Sequence, residues 1–237
     1  MSVLLALDSA TESLALALAA GDALYLREDA GGAQASARIV PLVHELLAEA
    51  GLALADVDAI AFGRGPGAFT GLRTACAVAQ GLAFGAAKPV VPVDSLRIVA
   101  EDARAQAEQA GAPLTSPIWV AMDARMDEIY AAEYAWDGTQ WRTLCEPALY
   151  APGALRARWG APPAAAGNAL EVFAAALGPL PRAAWPRTRA RAQALAALAC
   201  QGWAAGHRLD AAEAQPVYVR DKVALTTAER LAAGGLR

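Results

Sequence analysis

Residues 63–73 read GRGPGAFTGLR, with four glycines in eleven positions ahead of an apolar, helix-like run. Glycine-rich loops before helices are where proteins cradle phosphate, because free amides and the helix dipole point at the anion. Both well-defined versions of that chemistry need a fixed order. A Walker loop puts a lysine directly after its last glycine, so that the ammonium reaches the phosphates. Here Leu72 and Arg73 follow Gly71. A dinucleotide loop needs GxGxxG at a strand-to-helix junction. Here Gly63, Gly65 and Gly67 are two apart, Gly71 lies four further on, and Pro66 intervenes. What is left for an anion is the amides of residues 69–71 with Thr70 and Arg73. The structural alternative is a sharp Gly-Pro-Gly corner, pinned by Phe69, with Thr70 capping the next helix.

Two aspartates end apolar runs at polar elbows, Asp8 in LLALDSATES and Asp123 in WVAMDARMDE. Acidic residues at two such elbows could orient a magnesium nucleotide, which would make the protein a nucleotide-binding regulator with a degenerate kinase-like cleft. Elbow aspartates also serve simply to bind backbone amides. Asp123, Asp127 and Glu128 could act as paired carboxylates or be a solvated turn. The two histidines, His44 and His207, stand far apart with no HExxH or serine-triad motif around them, which leaves a peptidase reading little to build on. Cys76, Cys145 and Cys200 form no CxxC, so neither zinc nor a disulfide framework is expected and reduced thiols fit a cytoplasmic setting. The formal charge is -4 with no Lys/Arg block, so the chain lacks the basic footprint of a protein that grips nucleic acid alone. MSVLLALDSATES has no basic start and meets an acid at Asp8, unlike a signal peptide. No run approaches the ~18–20 apolar residues of a membrane span.

The elements that would position these groups follow from periodicity. Residues 3–7, 14–20 and 23–27 predict an antiparallel meander. Residues 36–50 predict a helix with Ser36 as cap, Ile39, Val43, Leu46, Leu47 and Ala50 on one face, Gly51 at the end, and Pro41 opening it late or kinking its first turn. Residues 58–62 and 89–93 read as buried strands, 72–84 as a second helix and 96–109 as a polar-faced third. The chain then begins again: LLALDSATESLALALAAGDALYL and WVAMDARMDEIYAAEYAWDGTQW share a strand, an aspartate, an elbow, a second strand and a Gly/Asp turn. Strands at 118–122, 129–135 and 140–145 follow, then one from about Ala164 to Gly167–Asn168, a helix over 191–205 and a short extended piece at 217–219. A single duplication of this kind predicts an α/β fold of two lobes with mixed sheets flanked by helices. The lobes divide as 1–110 and 111–237, with the tail placed to pack back on the first.

The 72–84 helix, LRTACAVAQGLAF, carries one charge. A helix covering a sheet normally shows water its other face. One that is apolar nearly all round needs cover on both sides, either deep in a core or across a subunit boundary, and small residues such as Ala75, Ala79 and Ala83 let another helix approach closely.

GRGPGAFTGLRTACAVAQGLAFGAAKPVVPVDSL, with the opening LLALDSATES, DARMDEIYAAEY, AGNAL and PVYVRDKVA, resembles the TsaB (YeaZ) family. These separated motifs occur in the family's order over essentially the whole chain, with Ala169 where the family often has glycine. The resemblance implies the two-lobed Hsp70/actin-like (ribonuclease H-like) fold. It also implies a non-catalytic dimerisation subunit that supports TsaD, the transferase forming N6-threonylcarbamoyladenosine next to the tRNA anticodon. TsaE, an ATPase, joins that assembly, the protein alone pairs with itself, and tRNA is met through the complex. No cofactor is intrinsic, although ATP or ADP can lie at a composite subunit boundary. TsaD carries a metal-binding HxxxH where this chain has Ser95 and Val99. The partner surface implied is 36–50 plus 69–84, with Ile39, Val43, Leu46, Leu72, Ala75, Cys76, Ala79 and Ala83 as candidate contacts. The sequence leaves open which of them face a partner and which the core.

Overall fold

A computed structural model describes residues 2–32, 35–114 and 117–220. The first lobe runs β1 (Val3–Asp8), β2 (Ser13–Ala20), β3 (Ala23–Ala30), α1 (Ala35–Ala50), β4 (Ala59–Gly65), α2 (Phe69–Ala86), β5 (Val90–Asp94) and α3 (Ser95–Gln109). The second runs β6 (Ile118–Arg125), β7 (Glu128–Trp136), β8 (Trp141–Tyr150), α4 (Pro152–Trp159), β9 (Ala164–Ala166), α5 (Ala169–Val172), α6 (Ala174–Leu177), β10 (Ala183–Trp185) and α7 (Arg191–Ala204). The two five-stranded sheets have strand orders β3-β2-β1-β4-β5 and β10-β9-β6-β7-β8. Read from the first strand of each lobe, they are the same topology: an antiparallel meander on one side and two parallel strands on the other. The duplication expected from the two opening motifs is therefore present in the fold, which is the Hsp70/actin-like architecture.

The first sheet is two-faced because side chains alternate along a strand. Leu5, Leu7, Leu14, Leu16, Leu18, Ile60 and Phe62 face one core, with α1 and α2 over them. Leu4, Ala6, Ala15, Ala17, Ala59 and Ala61 face the other. Five of the eight buried first-sheet residues on that second face are alanine, the others being Leu4, Val91 and Val93, so α3 and α7 can lie close to it. The same core continues into the second lobe through Val120, Ala132, Tyr134 and Trp141. A third core, of Trp119, Ile129, Leu155 and Trp159 with their neighbours, fills the far side of the second sheet under α4–α6. α7 follows the second sheet in the chain but packs on β1, β2, β5 and α3 of the first lobe.

Three local expectations differ from the structure. Ser36 is inside α1, which starts at Ala35, so its hydroxyl is not the cap, and Pro41 sits within the helix, which continues through it. α2 begins at Phe69 with Ala68 as its N-cap and no side-chain cap bond; Thr70 is already in the first turn. α3 buries part of its polar face: Glu101 and Asp102 are each 2% exposed, whereas Glu108 and Gln109 at its end are open to water.

Candidate functional site

The glycine loop lies directly on the β1–β2 elbow. A Cβ at Gly63 would stand 1.7 Å from Asp8 Oδ1, and one at Gly71 would stand 1.8 Å from the Ser9 carbonyl oxygen. Glycine is needed at both positions because the buried Asp8 side chain presses on Gly63 and the Ser9 backbone on Gly71. Ala68 N donates to the Ala10 carbonyl at 2.7 Å and Ser9 Oγ donates to the Gly71 carbonyl at 2.8 Å. The elbow that could have met a phosphate is roofed over, with Ser9 fully buried.

Asp8 is fully buried and already neutralised. Arg191 Nε donates to its Oδ2 at 2.8 Å, and the guanidinium NH2 lies at the same distance without a straight hydrogen bond. Ser95 Oγ donates to Oδ1 at 3.0 Å and accepts from Gly65 N at 3.0 Å. Charge, hydrogen bond and cover thus come from α7, α3 and β4. Asp123 is also engaged locally: its Oδ1 accepts from Arg125 N at 2.8 Å, its Oδ2 lies 3.3 Å from the Arg125 guanidinium, and its own amide donates to Asn168 Oδ1. The elbow after it holds Arg125, Met126 and Asp127 at φ of 63°, 56° and 56°.

Thr70 and Arg73 do not join them. Arg73 lies 3.8 Å over the Phe69 ring and donates from Nε to Tyr218 Oη at 2.9 Å, and the Thr70 carbonyl accepts from Thr74 Oγ1. The four residues expected around a phosphate are thus dispersed: Asp8 under the loop, Asp123 at the cleft with its oxygens in use, Arg73 on the tail's Tyr218 and Thr70 in the first turn of α2.

Between the lobes lies a cleft of about 310 Å³. Leu72 and Leu96 line it from the first lobe, Met122 and Tyr130 from the second, and Val217–Arg220 from the tail. The tail is fixed to both lobes: Val217 N donates to the Arg64 carbonyl, the Tyr218 ring lies 5.0 Å from that of Phe69, and Arg220 pairs with Glu128 at 2.6 Å. Arg125 and Glu12 pair across the mouth, one from each elbow. His44 and His207 are exposed and neither lines the cleft. Among the described residues there is no group of three His, Cys, Asp or Glu side chains that could hold a metal.

The lobes meet along α3. Tyr134 Oη donates to Asp94 Oδ2 at 2.6 Å, Trp141 Nε1 to Glu101 Oε2 at 2.8 Å, and Arg97 to Thr143 Oγ1 at 2.9 Å. Asp94 also caps α3 through the amides of Leu96 and Arg97. Burial pushes the Asp94 carboxyl above its ordinary value. The Tyr134 phenol is pushed well up, first by burial and then by the Asp94 charge. Sequence reasoning missed these residues, because a polar helix stripe reads as solvated unless the second lobe is known to cover it.

All eight side chains named as partner contacts are core. Ile39, Leu46, Ala75, Ala79 and Ala83 are fully buried, and Val43, Leu72 and Cys76 are at most 6% exposed. Seven of them fill the leucine-faced core between α1, α2 and the first sheet, and Leu72 lines the interlobe cleft, so these side chains are turned away from the outer faces of α1 and α2. The outward face of α2 is instead Ala77, Gly81, Phe84 and Gly85, and that of α1 includes Ala37, Val40, Pro41 and His44. Phe84 is 78% exposed, and a Cβ at Gly81 or Gly85 would meet nothing within 4 Å. The signal was present as a small residue at every fourth position, 77, 81 and 85, which is one stripe of a helix.

Comparison with known proteins bears on both surfaces. A family model described as TsaD, tRNA N6-adenosine threonylcarbamoyltransferase, matches residues 31–228. A "tRNA threonylcarbamoyladenosine biosynthesis protein TsaB" of Haemophilus influenzae is 39% identical over 158 residues, 63% of this chain and 64% of the relative. The protein of the same description in Escherichia coli K12 is 36% identical over 152 residues, 62% of this chain and 63% of its own length. The matched segments thus span just under two thirds of these curated relatives. Among solved structures, "YeaZ from Pseudomonas aeruginosa" superposes with a TM-score of 0.81 at 37% identity, covering 92% of this chain and all of that one. A second Pseudomonas aeruginosa chain, described as uncharacterized with similarity to peptidase YEAZ, gives 0.82 at 38%, covering 93% of this chain and all of its own.

Proposed function

The chain belongs to the TsaB (YeaZ) family, and from that premise we propose that it is a non-catalytic interaction subunit in the biosynthesis of threonylcarbamoyladenosine on tRNA. It docks on the TsaD transferase through the outward faces of α1 and α2, pairs with a second copy through the same faces when TsaD is absent, and works with TsaE in the assembled complex. The observation that carries this reading is the α2 stripe. Its inner face is committed to the chain's own sheet, while its outer face presents an aromatic ring, Phe84, among Ala77, Gly81 and Gly85. Small residues in that register let a second helix approach to the near end of the usual 8–10 Å separation, and an exposed aromatic beside a flat surface is the form of an interface anchor.

Two features favour support over catalysis. Ser95 and Val99, at the positions where the resemblance puts the metal histidines of TsaD, are each 2% exposed, and the Ser95 hydroxyl is used to hold Asp8. A nucleotide, where one is bound, belongs at the boundary with TsaD, because Asp8 is already paired. The test is co-purification with TsaD and light scattering of the isolated protein, comparing wild type with Phe84→Glu and Gly81→Arg. Loss of both associations with native circular dichroism supports the reading. Retention of both in the two variants overturns it.

A further inference from the structure

We propose that the second lobe carries an auxiliary contact for an RNA backbone along β10, made by Arg182, Arg187 and Arg189, which meets the tRNA while this chain is docked in its complex. The inference rests on the reading above for the identity of the RNA, and on the surface itself for the chemistry. The formal charge of -4 conceals an unequal division. Residues 1–110 hold 7 basic and 13 acidic side chains, a formal -6, whereas residues 111–237 hold 13 and 11, a formal +2. The excess is concentrated in residues 151–190, where five arginines accompany a single acid, Glu171, and all five are exposed. A one-sided field of this kind attracts a polyanion to the second lobe, and the acidic first lobe repels it.

β10 is the outer strand of its sheet, with Arg182 just before it and Arg187 and Arg189 just after. The backbone that carries them is held firmly. β10 pairs with β9, Asp102 accepts from the amides of Arg189 and Ala190, and Gln106 Nε2 donates to the Arg187 carbonyl. The heads are less committed. Arg187 pairs only with the exposed Glu171 at 3.0 Å, and the Arg182 and Arg189 side chains make no hydrogen bond or ion pair among the described residues. A guanidinium fork matches a phosphate in two-pronged fashion. Three strand residues at about 3.3 Å each keep Arg182 and Arg187 some 10 Å apart, so they meet different phosphates. Arg182 also shares a groove with Trp185, Pro113, Leu114 and Pro163, and an arginine beside an aromatic ring is a pairing that receives an unstacked RNA base. This groove is separate from the interlobe cleft: its residues stand at the starts of β9 and β10 and ahead of β6, whereas the cleft takes Met122–Arg125 from the far end of β6 and Asn168 from beyond β9. With so few cations on a chain of net negative charge, the contact adds to the grip of an assembly and does not replace it.

The experiment measures tRNA binding by the complex of the full chain with TsaD and TsaE, by fluorescence anisotropy over a range of salt, for wild type and Arg182→Gln/Arg189→Gln. The double variant is expected to bind about tenfold more weakly, and the slope of log K against log salt to shrink by roughly 1.4–1.8, two contacts at about 0.7–0.9 each. Recovery of TsaD and TsaE and the circular dichroism spectrum are expected to stay unchanged, since both side chains are exposed. Unchanged tRNA affinity and slope overturn the proposal, as does loss of TsaD or TsaE in place of tRNA, which would make this a protein contact. If wild type does not recover TsaD, the docking reading fails by itself and the isolated chain at low salt decides: crosslinks from 4-thiouridine-substituted tRNA falling on residues 182–189 support the contact, and their absence there overturns it.

Discussion

Tyr134 and Asp94 stand on different lobes and share a 2.6 Å hydrogen bond, buried where α3 of the first lobe meets β7 of the second. The carboxyl has a raised pKa because burial outweighs the donors around it. The folded state therefore binds this proton more tightly than the unfolded chain. Its contribution to stability is complete below the unfolded value of 3.8 and is lost as pH rises through the raised folded value. Asp94→Asn is expected to remove that decline while keeping an acceptor for Tyr134 and a cap for α3. Thermal melts of both proteins from about pH 4 to pH 7 check it; parallel curves for wild type and variant would refute the assignment.

Arg191→Met strands the fully buried Asp8 carboxylate. Breaking a buried pair on one side costs about 3–5 kcal/mol. Adding Asp8→Asn to Arg191→Met should restore a large part of that loss, because the amide oxygen still accepts from Ser95 and no charge is left behind. Urea denaturation of the two singles and the double measures this; additive losses would mean that the pair is not what holds α7 to β1.

Gly71→Ala and Gly81→Ala change the same helix by the same methyl group. At Gly71 the new Cβ runs into the Ser9 carbonyl, whereas at Gly81 it meets nothing within 4 Å. The first should destabilise by several kcal/mol, since backbone must move. The second should stabilise the isolated fold by roughly 0.5–1 kcal/mol through helix propensity. Equal effects in denaturant melts would show that the loop does not rest on the elbow as described.

Ala75→Glu and Phe84→Glu separate core from surface on α2. Ala75 is fully buried and Phe84 is 78% exposed. A glutamate at 75 places a charge in the leucine core and should unfold the lobe, as read by circular dichroism. A glutamate at 84 should leave the spectrum native and weaken recovery of TsaD by at least tenfold in pull-down, the scale of losing one anchor residue. Loss of fold in the second variant, or of binding alone in the first, would reverse the assignment of faces.

Much of the architecture was legible because it is written in short-range patterns. The alternation in β1 and β2 gave the meander, and the repeated strand–aspartate–elbow motif gave the second lobe. The helix at 69–86 was legible as apolar all round, but its two faces were not distinguished. Ala75, Ala79 and Ala83 differ from Ala77, Gly81 and Gly85 only by which side the sheet occupies, and that depends on how the corner at 65–68 aims the chain. Glu101 and Asp102 read as solvated for a related reason: their partners, Trp141 and the amides of Arg189 and Ala190, lie 40 to 88 positions away. Arg191 offered no local signal at all, since its carboxylate is 183 residues upstream.

The return of α7 to the first sheet has a consequence for how the polypeptide matures. As the ribosome releases the opening hundred residues, the alanine-lined side of their sheet has only α3 to shelter it, and Asp8 has no cation within reach. Both wants are met by a segment that is made after nearly the whole of the other lobe. The first half expressed alone should be insoluble or chaperone-bound, and supplying the second half in trans should rescue it.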